Sequence, residues 1–389
     1  MRKGISCAEL LAMIPKDLVA RLEEETKVNR QVKKMSGEIV LKLILFSLLE
    51  RSQVSLRLME EIYASEKFKI VSGKGNRMVK HNTIAERINH INPLFFEKIF
   101  DYLFSKFQPV IKSKSKFDLE IFDSTLVELS AKLLEEGMNC GGGRKKQIKF
   151  TFGFNGMFPT GVKIFREQTE VSEEVALRKA ILARKSGQKS IVVFDRGLQR
   201  RKTFCDFATQ NISFVARLKA KASYREVNVF KKVAGRKTKT LRLEKDLIVN
   251  LKDEQAKPID QDFRLIAARS LETDEPILFL TNLTDLTAGQ ITDIYKRRWE
   301  IEVFFKFLKQ ELNFSHLVSR RENGIQVMLW VTLILALLLV VFKEKNQLAG
   351  YKIAKLRFSL ELEAEIMKEI VLLCDGDVSK FFRVKNHYP

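Results

Sequence analysis

Through the first hundred positions apolar residues recur at three- and four-residue spacing, the period of a helix with one buried face. That period predicts helices over residues 8–25, 36–51 and 55–64. A basic, glycine-containing loop follows at 72–80, and Asn82, a good helix-capping residue, opens a further helix over 82–89. Loop and helix together have the build of a helix-turn-helix reader, with Lys80, Arg87 and His90 placed to meet DNA. An ordinary helical bundle with a solvated basic face fits the same residues.

From Phe117 the period shortens to that of strands. Runs at 119–123, 148–154 and 161–166 read as strands, the last two joined by a hairpin over 155–160. A helix over 172–185 precedes the apolar run 190–195, which reads as a buried strand with Asp195 emerging at its tip. A helix over 201–210 and a strand over 212–217 complete an α/β layer around a mixed sheet. Residues 220–284 look like a separate β-rich block, with lysine-rich turns between strand-like runs at 241–251, 263–270 and 277–281. Helical periodicity returns over 287–313. The nearly unbroken apolar segment 327–342 falls short of the roughly 18 residues expected of a membrane span. With no second such segment, a fully buried central helix is the better reading. The expected organisation is therefore a helical domain (1–115), an α/β core in two parts (116–219 and 286–345) around a β-rich insertion (220–285), and a helical tail (346–389).

Composition adds a partner. Across 389 residues, 45% hydrophobic and 10% aromatic content supplies a core and argues against disorder. Lys and Arg number 69 against 48 Asp and Glu, a net charge of +21 that attracts polyanions. Nucleic acid is the expected partner, with an anionic membrane surface as the competitor. Cys7, Cys140, Cys205 and Cys374 lie far apart with no CxxC pair, which argues against a zinc site or disulfide frame and for reduced thiols in the cytoplasm. The first 25 residues are amphipathic and charged, unlike a secretory signal.

Candidate chemistry sits on the helix over 287–313. At roughly 100° per residue, Tyr295, Arg298, Glu302 and Lys309 fall within about 60° of one another. They flank an apolar stripe of Ile294, Ile301, Phe305, Leu308 and Leu312, while Glu300 lies nearly opposite. A solvated charged face would look the same. Asp123 and Asp195, however, each end an apolar strand, and neighbouring strand tips bring such carboxylates within a few ångströms. Two acids so close repel unless a divalent cation lies between them, and hard oxygen donors suit Mg²⁺ or Mn²⁺. With Glu302 as third ligand the set suits two-metal phosphoryl transfer, and Arg298, Lys309 and Tyr295 would hold neighbouring phosphates. Taken singly, Asp123 could be a turn residue before Ser124-Thr125, and Asp195-Arg196-Gly197 a turn ending its strand.

The spacing Tyr295-x2-Arg298-x3-Glu302-x6-Lys309 resembles the signature of the insertion-sequence-four group of DDE transposases. Phe122-Asp123-Ser124-Thr125 and Val193-Phe194-Asp195-Arg196-Gly197 resemble the settings of that group's first and second acids. Asp195 lies 72 positions after Asp123, and Glu302 lies 107 after Asp195; the wide second gap is where the group carries a β-strand insertion. The resemblance implies an RNase H-like core and catalysis by Asp123, Asp195 and Glu302 with Mg²⁺ or Mn²⁺. It also implies a helical domain that reads terminal inverted repeats and a homodimer assembled on two DNA ends, and it makes 327–342 a helix packed against the central sheet. Members of the group that form a DNA hairpin use a Trp in the insertion. Here the two Trp residues are Trp299 and Trp330, outside it, leaving Tyr224, Phe230, Phe263 and Phe279 as the aromatic candidates. An RNase H-like nuclease that cuts without joining, a catalytically silent DNA-binding regulator and a membrane protein with a basic domain are the competing classes.

Overall fold

The computed structural model describes residues 4–51, 53–73, 78–109, 116–129, 137–139, 146–184, 189–253, 255–319 and 321–380. Seven helices come first: α1 (Cys7–Leu11), α2 (Lys16–Glu25), α3 (Gly37–Glu50), α4 (Leu56–Ala64), α5 (Glu66–Ser72), α6 (His81–His90) and α7 (Leu94–Phe107). The chain then alternates β1 (Leu119–Leu129), β2 (Met138–Asn139), β3 (Lys146–Phe154), β4 (Pro159–Phe165), α8 (Glu173–Leu182), β5 (Ile191–Phe194), α9 (Arg201–Thr209) and β6 (Phe214–Leu218). Four more strands follow, β7 (Tyr224–Val229), β8 (Leu241–Lys252), β9 (Pro258–Ser270) and β10 (Pro276–Thr281), then α10 (Ala288–Lys296), α11 (Trp299–Glu311), α12 (Glu322–Lys345) and α13 (Tyr351–Leu373). They form two compact units, Ser113–Phe305 around the sheet and Met1–Lys112 with Lys306–Pro389 around the helices.

In the sheet unit the strand order is β2-β3-β1-β5-β6-β10-β9-β8-β7, with β4 also on β3. β1, β5 and β6 run parallel while β3 and β10 are antiparallel to their neighbours, so the sheet is mixed. Its parallel centre is apolar on both faces, as a sheet covered by helices requires. On one side Phe194, Phe204, Phe207, Phe214 and Phe263 pack with Leu177 and Ile181 of α8. On the other, Phe304 stacks on Phe154 at 5.0 Å and Phe305 meets Phe152 at 5.4 Å, pinning the start of α11 to β3. The block expected to stand apart is continuous with this layer: β10 pairs with β6 from Leu278↔Leu218 to Thr281↔Val215, and β9, β8 and β7 extend the sheet from there.

The helical unit is organised by α12, whose most apolar 18-residue stretch is 94% buried. It is the one described helix long and apolar enough to cross a membrane. Its buried surface packs on α7, α13, α6 and α3. The apolar segment is thus the core helix of this unit. Two helices expected to be continuous are broken. Pro15 separates α1 from α2, because its ring removes a donor and disfavours helical geometry in the residue before it. The helix over 287–313 divides at Arg297-Arg298 into α10 and α11, with Thr287 and Gln290 forming a capping box at its start.

Candidate active site

Parallel pairing of β1 with β5 runs from Leu119↔Ile191 to Phe122↔Phe194, and the next residue on each strand is an aspartate. Register alone therefore sets Asp123 beside Asp195 at one end of the sheet's parallel centre. Asp195 makes the contact of a strand-ending turn, Gly197 N–H donating to its Oδ1 at 2.7 Å. Asp123 is not in a turn: β1 continues through Ser124 and Thr125 to Leu129, and Ser124 N–H donates to Asp123 Oδ1 at 2.8 Å within the strand. The Asp123 side chain is only 18% exposed. Burial foremost, and then the charge of Asp195, push its carboxyl from 3.8 up to about 7.

The break before α11 turns the Arg298 guanidinium toward these acids. Arg298 Nη1 donates to Asp123 Oδ2 at 3.3 Å and Nη2 to Glu302 Oε1 at 2.5 Å, while its buried Nε has no partner. Tyr295 is hydrogen-bonded to Arg298, packs edge-on against Phe279 at 5.2 Å, and has its hydroxyl pKa raised by burial. Tyr295, Arg298, Glu302, Asp123 and Asp195 are thus brought together although the helix is interrupted. Arg298, expected on phosphate, here bridges two carboxylates, since in the protein alone it is the cation at hand. Glu300 is engaged by Arg297 at 2.8 and 2.9 Å. Lys309 lies on the last turn of α11, its ammonium pKa lowered by burial.

A further acid escaped the sequence reading. Glu173, the first residue of α8, is close enough for its charge to raise the Asp123 pKa. A methyl group placed on Gly197 would lie 2.6 Å from Glu173 Cγ and 2.8 Å from Asp195 Oδ1, so only glycine lets the two acids close over that turn. Glu173 Oε2 pairs with Lys149 Nζ at 3.1 Å; Lys149 is a β3 lysine only 4% exposed, and it also donates to the Val171 carbonyl. Glu173 Oε1 is buried with no hydrogen-bond partner. The neighbouring Glu174 fixes the turn after β5 by accepting from Gln199 N–H at 2.5 Å, Arg200 N–H at 3.0 Å and the Thr203 hydroxyl at 3.0 Å. In sequence, Glu173-Glu174 are simply acids in a helix first turn, where the helix dipole favours them. No spacing signal sets Glu173 apart.

Among the described residues no three acidic, His or Cys side chains converge tightly enough to hold a metal ion as they stand. Arg298 lies between Asp123 and Glu302. The donors themselves fit a hard divalent cation: all are carboxylate oxygens, two adjacent acids carry an uncompensated repulsion, and one buried oxygen lacks a partner.

The candidate DNA reader fares differently. Arg87 faces inward: its Nε donates to the Met35 carbonyl at 2.8 Å and Nη2 to the Val28 carbonyl at 2.7 Å, and burial lowers its pKa to about 10. A guanidinium so engaged ties α6 to the preceding helices and is not free for a base edge. His90 is paired with Arg321 at 2.8 Å. Lys80 remains 67% exposed, held loosely by Glu60 at 3.0 Å. Residues 74–77 of the basic loop lie outside the described residues. Of the aromatic candidates in the β-rich block, Phe263 and Phe279 are 1% and 2% exposed core residues. Phe230 lies beneath the Arg264 guanidinium at 4.3 Å, and Tyr224 is half-buried.

A family profile described as "Transposase DDE domain" matches residues 115–339, more than half of the chain. A Synechocystis sp. protein described as a transposase for insertion sequence element IS4SA is 26% identical over 259 residues, covering 62% of this chain and 65% of that relative. A Geobacillus stearothermophilus protein described as a transposase for insertion sequence element IS5377 is 26% identical over 151 residues, 39% of each. The matches thus span 65% of the first relative's length and 39% of the second's. Among solved structures, the cryo-EM structure of a piggyBac transposase synaptic complex with hairpin DNA aligns with a TM-score of 0.51 at 11% identity, covering 95% of this chain and 82% of that one. At that identity the likeness speaks for the fold, which is RNase H-like.

Proposed function

The chain belongs to the Transposase DDE domain family, and on that premise we propose that it is a cut-and-paste transposase of the insertion-sequence-four group. In this reading it binds the terminal inverted repeats of an insertion sequence, works in the cytoplasm, and assembles as a homodimer on two DNA ends. The observation that supports the reading is the juxtaposition of Asp123, within β1 just past its parallel pairing with β5, and Asp195, just past the end of β5, with Glu302 linked to Asp123 through Arg298.

Asp123, Asp195 and Glu302 are the residues that would hold Mg²⁺ or Mn²⁺. The bound metal supplies a lowered pKa for the attacking water or hydroxyl and charge stabilisation for the leaving oxygen. The chain's own side chains do the rest. The carboxylates fix where cation and scissile phosphate meet, and Phe304 and Phe305 hold the start of α11 so that Glu302 stays over the strand ends. Arg298 must release at least one carboxylate for Glu302 to join the aspartates. Once released, its fork suits a phosphate beside the scissile bond. Lys309 and Tyr295 are further phosphate-holding groups. Lys80 and Arg87 were the expected contacts to the DNA end; Lys80 keeps that role, and Arg87 supports the fold beneath it.

The test is purified protein with Mg²⁺ and DNA carrying the flanking genomic ends, resolved into nicks, hairpins and joined products. Cleavage with joining is the expected result. Cleavage with no joined product on any target would favour a nuclease, and binding with no cleavage a silent regulator.

A further inference from the structure

The three acids expected from the sequence do not exhaust the negative charge at the strand ends. Glu173 approaches the same turn as Asp195, an approach that the absence of a side chain on Gly197 permits. Its placement is well determined: Glu174, one residue on, accepts three hydrogen bonds from the segment 199–203, which locks the start of α8 to the loop that carries Asp195. Of its two oxygens, Oε2 is neutralised by Lys149, and Oε1 is buried without a hydrogen-bond partner although the side chain as a whole is 32% exposed.

Lys149 is as unusual. A lysine 4% exposed on β3 carries a large desolvation cost, and among the described residues its acidic partner is Glu173. Among the described residues, the ion pairs made by Asp123, Asp195, Glu302 and Glu173 are to Arg298 and Lys149. With all four carboxylates ionised, two fixed cations leave two negative charges, the charge of one divalent ion.

We propose that Glu173 is a fourth carboxylate of the acid site, strengthening its hold on a divalent cation, and that buried Lys149 keeps Glu173 in position and charge-balanced while the cation is absent. The inference rests on the metal-dependent reading above. Lys149 does for Glu173 what Arg298 does for Asp123 and Glu302: each protein cation holds a carboxylate in place before the metal arrives. Glu173 is thus a positioning residue, acting on the DNA only through the ion that it helps retain.

The rival account is that Glu173 merely neutralises a buried lysine. A double-substitution cycle separates the two, read as Mn²⁺ binding to the full chain without DNA, from the loss of free Mn²⁺ signal in electron paramagnetic resonance. Glu173→Gln is expected to weaken Mn²⁺ binding about tenfold, since ligand charge sets the affinity of such oxygen sites. The metal-free melting temperature should show that the variant is folded. Lys149→Met is expected to bind Mn²⁺ at least as tightly as the unsubstituted chain. The combined variant, which leaves no charge unpaired, should keep the weakened binding. Recovery of full affinity in the combined variant would overturn the proposal, because a purely structural pair is repaired when both partners are removed. Glu173→Asp, which preserves the charge, guards against a folding defect and should bind more tightly than Glu173→Gln; equal loss in both would also count against the proposal. Asp195→Asn distinguishes the two levels of the account. Loss in Asp195→Asn with none in Glu173→Gln sinks this inference alone, whereas no loss in Asp195→Asn, or no Mn²⁺ bound by the unsubstituted chain, sinks the metal site itself.

Discussion

Asp246 and Asp123 are buried carboxylates of the same sheet, and the protein treats them in opposite ways. Asp246, on β8, is fully buried and receives Arg264 Nε and Nη2 at 2.8 Å each. The rest of that guanidinium donates to the Leu283 and Leu286 carbonyls beneath the Phe230 ring. One acid meets one base, with hydrogen bonds on every side. Asp123 has a 3.3 Å contact to a guanidinium that it shares with Glu302, and it stands beside Asp195 and Glu173. A pair that serves only the fold is matched within the chain. The acid cluster is not matched one to one within the chain, and under the function proposed here a cation from outside completes it.

The comparison breaks first at function. Asp123→Asn and Asp195→Asn should reduce strand cleavage below detection while DNA binding persists and the melting temperature holds or rises. Relieving repulsion between neighbouring acids stabilises the metal-free fold. A fall in melting temperature for both would place these acids with Asp246 as fold-holding groups.

Asp246→Ala should behave in the reverse way. It strands the Arg264 charge in the core and should cost about 3–5 kcal/mol of stability. Cleavage per folded molecule, and its metal requirement, should stay unchanged. Denaturant unfolding beside a metal titration would show it, and a shifted metal requirement would contradict the separation drawn here.

Loss of Arg298 as its alanine should be milder, since it removes charge-assisted hydrogen bonds of about 1.5–3 kcal/mol and leaves the acids intact. Cleavage or joining slows, and the metal concentration for half-maximal activity falls or holds, because a competing cation has gone. A rise in that concentration would make Arg298 a support of the metal position and not its stand-in.

A further effect is on pH. The Asp123 carboxyl is raised from 3.8 to about 7 in the folded chain, so the folded state binds its proton more tightly than the unfolded state does. That contribution to stability is complete below 3.8 and is lost as pH rises through about 7. The metal-free protein should therefore lose stability, relative to Asp123→Asn, between about pH 4 and pH 7. Parallel melting curves for the two proteins would contradict it.

Much of this was legible in the chain. An apolar run that ends in aspartate announces Asp195 just past the end of β5; for Asp123 the strand runs on to Leu129, and it is the end of the parallel β1–β5 pairing that sets the two acids side by side. The Tyr295, Arg298 and Glu302 grouping survived an interrupted helix because Arg298 reaches Glu302 within one helical turn of α11. What stayed hidden is what depends on approach between distant segments. Arg87 has the sequence setting of a DNA contact, and only packing shows its guanidinium spent on Val28 and Met35. Glu173 looks like any acid at a helix start until Gly197 lets it close on Asp195. The β-rich block looks separate because its strands bear alternating and charged residues, whereas the pairing of β10 with β6 is a matter of register that no local pattern encodes.

The measurement that tests the account most directly compares two glutamates two residues apart on α11. Glu302 shares Arg298 with Asp123, while Glu300 pairs with Arg297. Cleavage of end-containing DNA in Mg²⁺ should vanish in Glu302→Gln, with DNA binding retained, and continue near its normal rate in Glu300→Gln. Normal cutting by Glu302→Gln, or loss confined to Glu300→Gln, would contradict the assignment of the acid site.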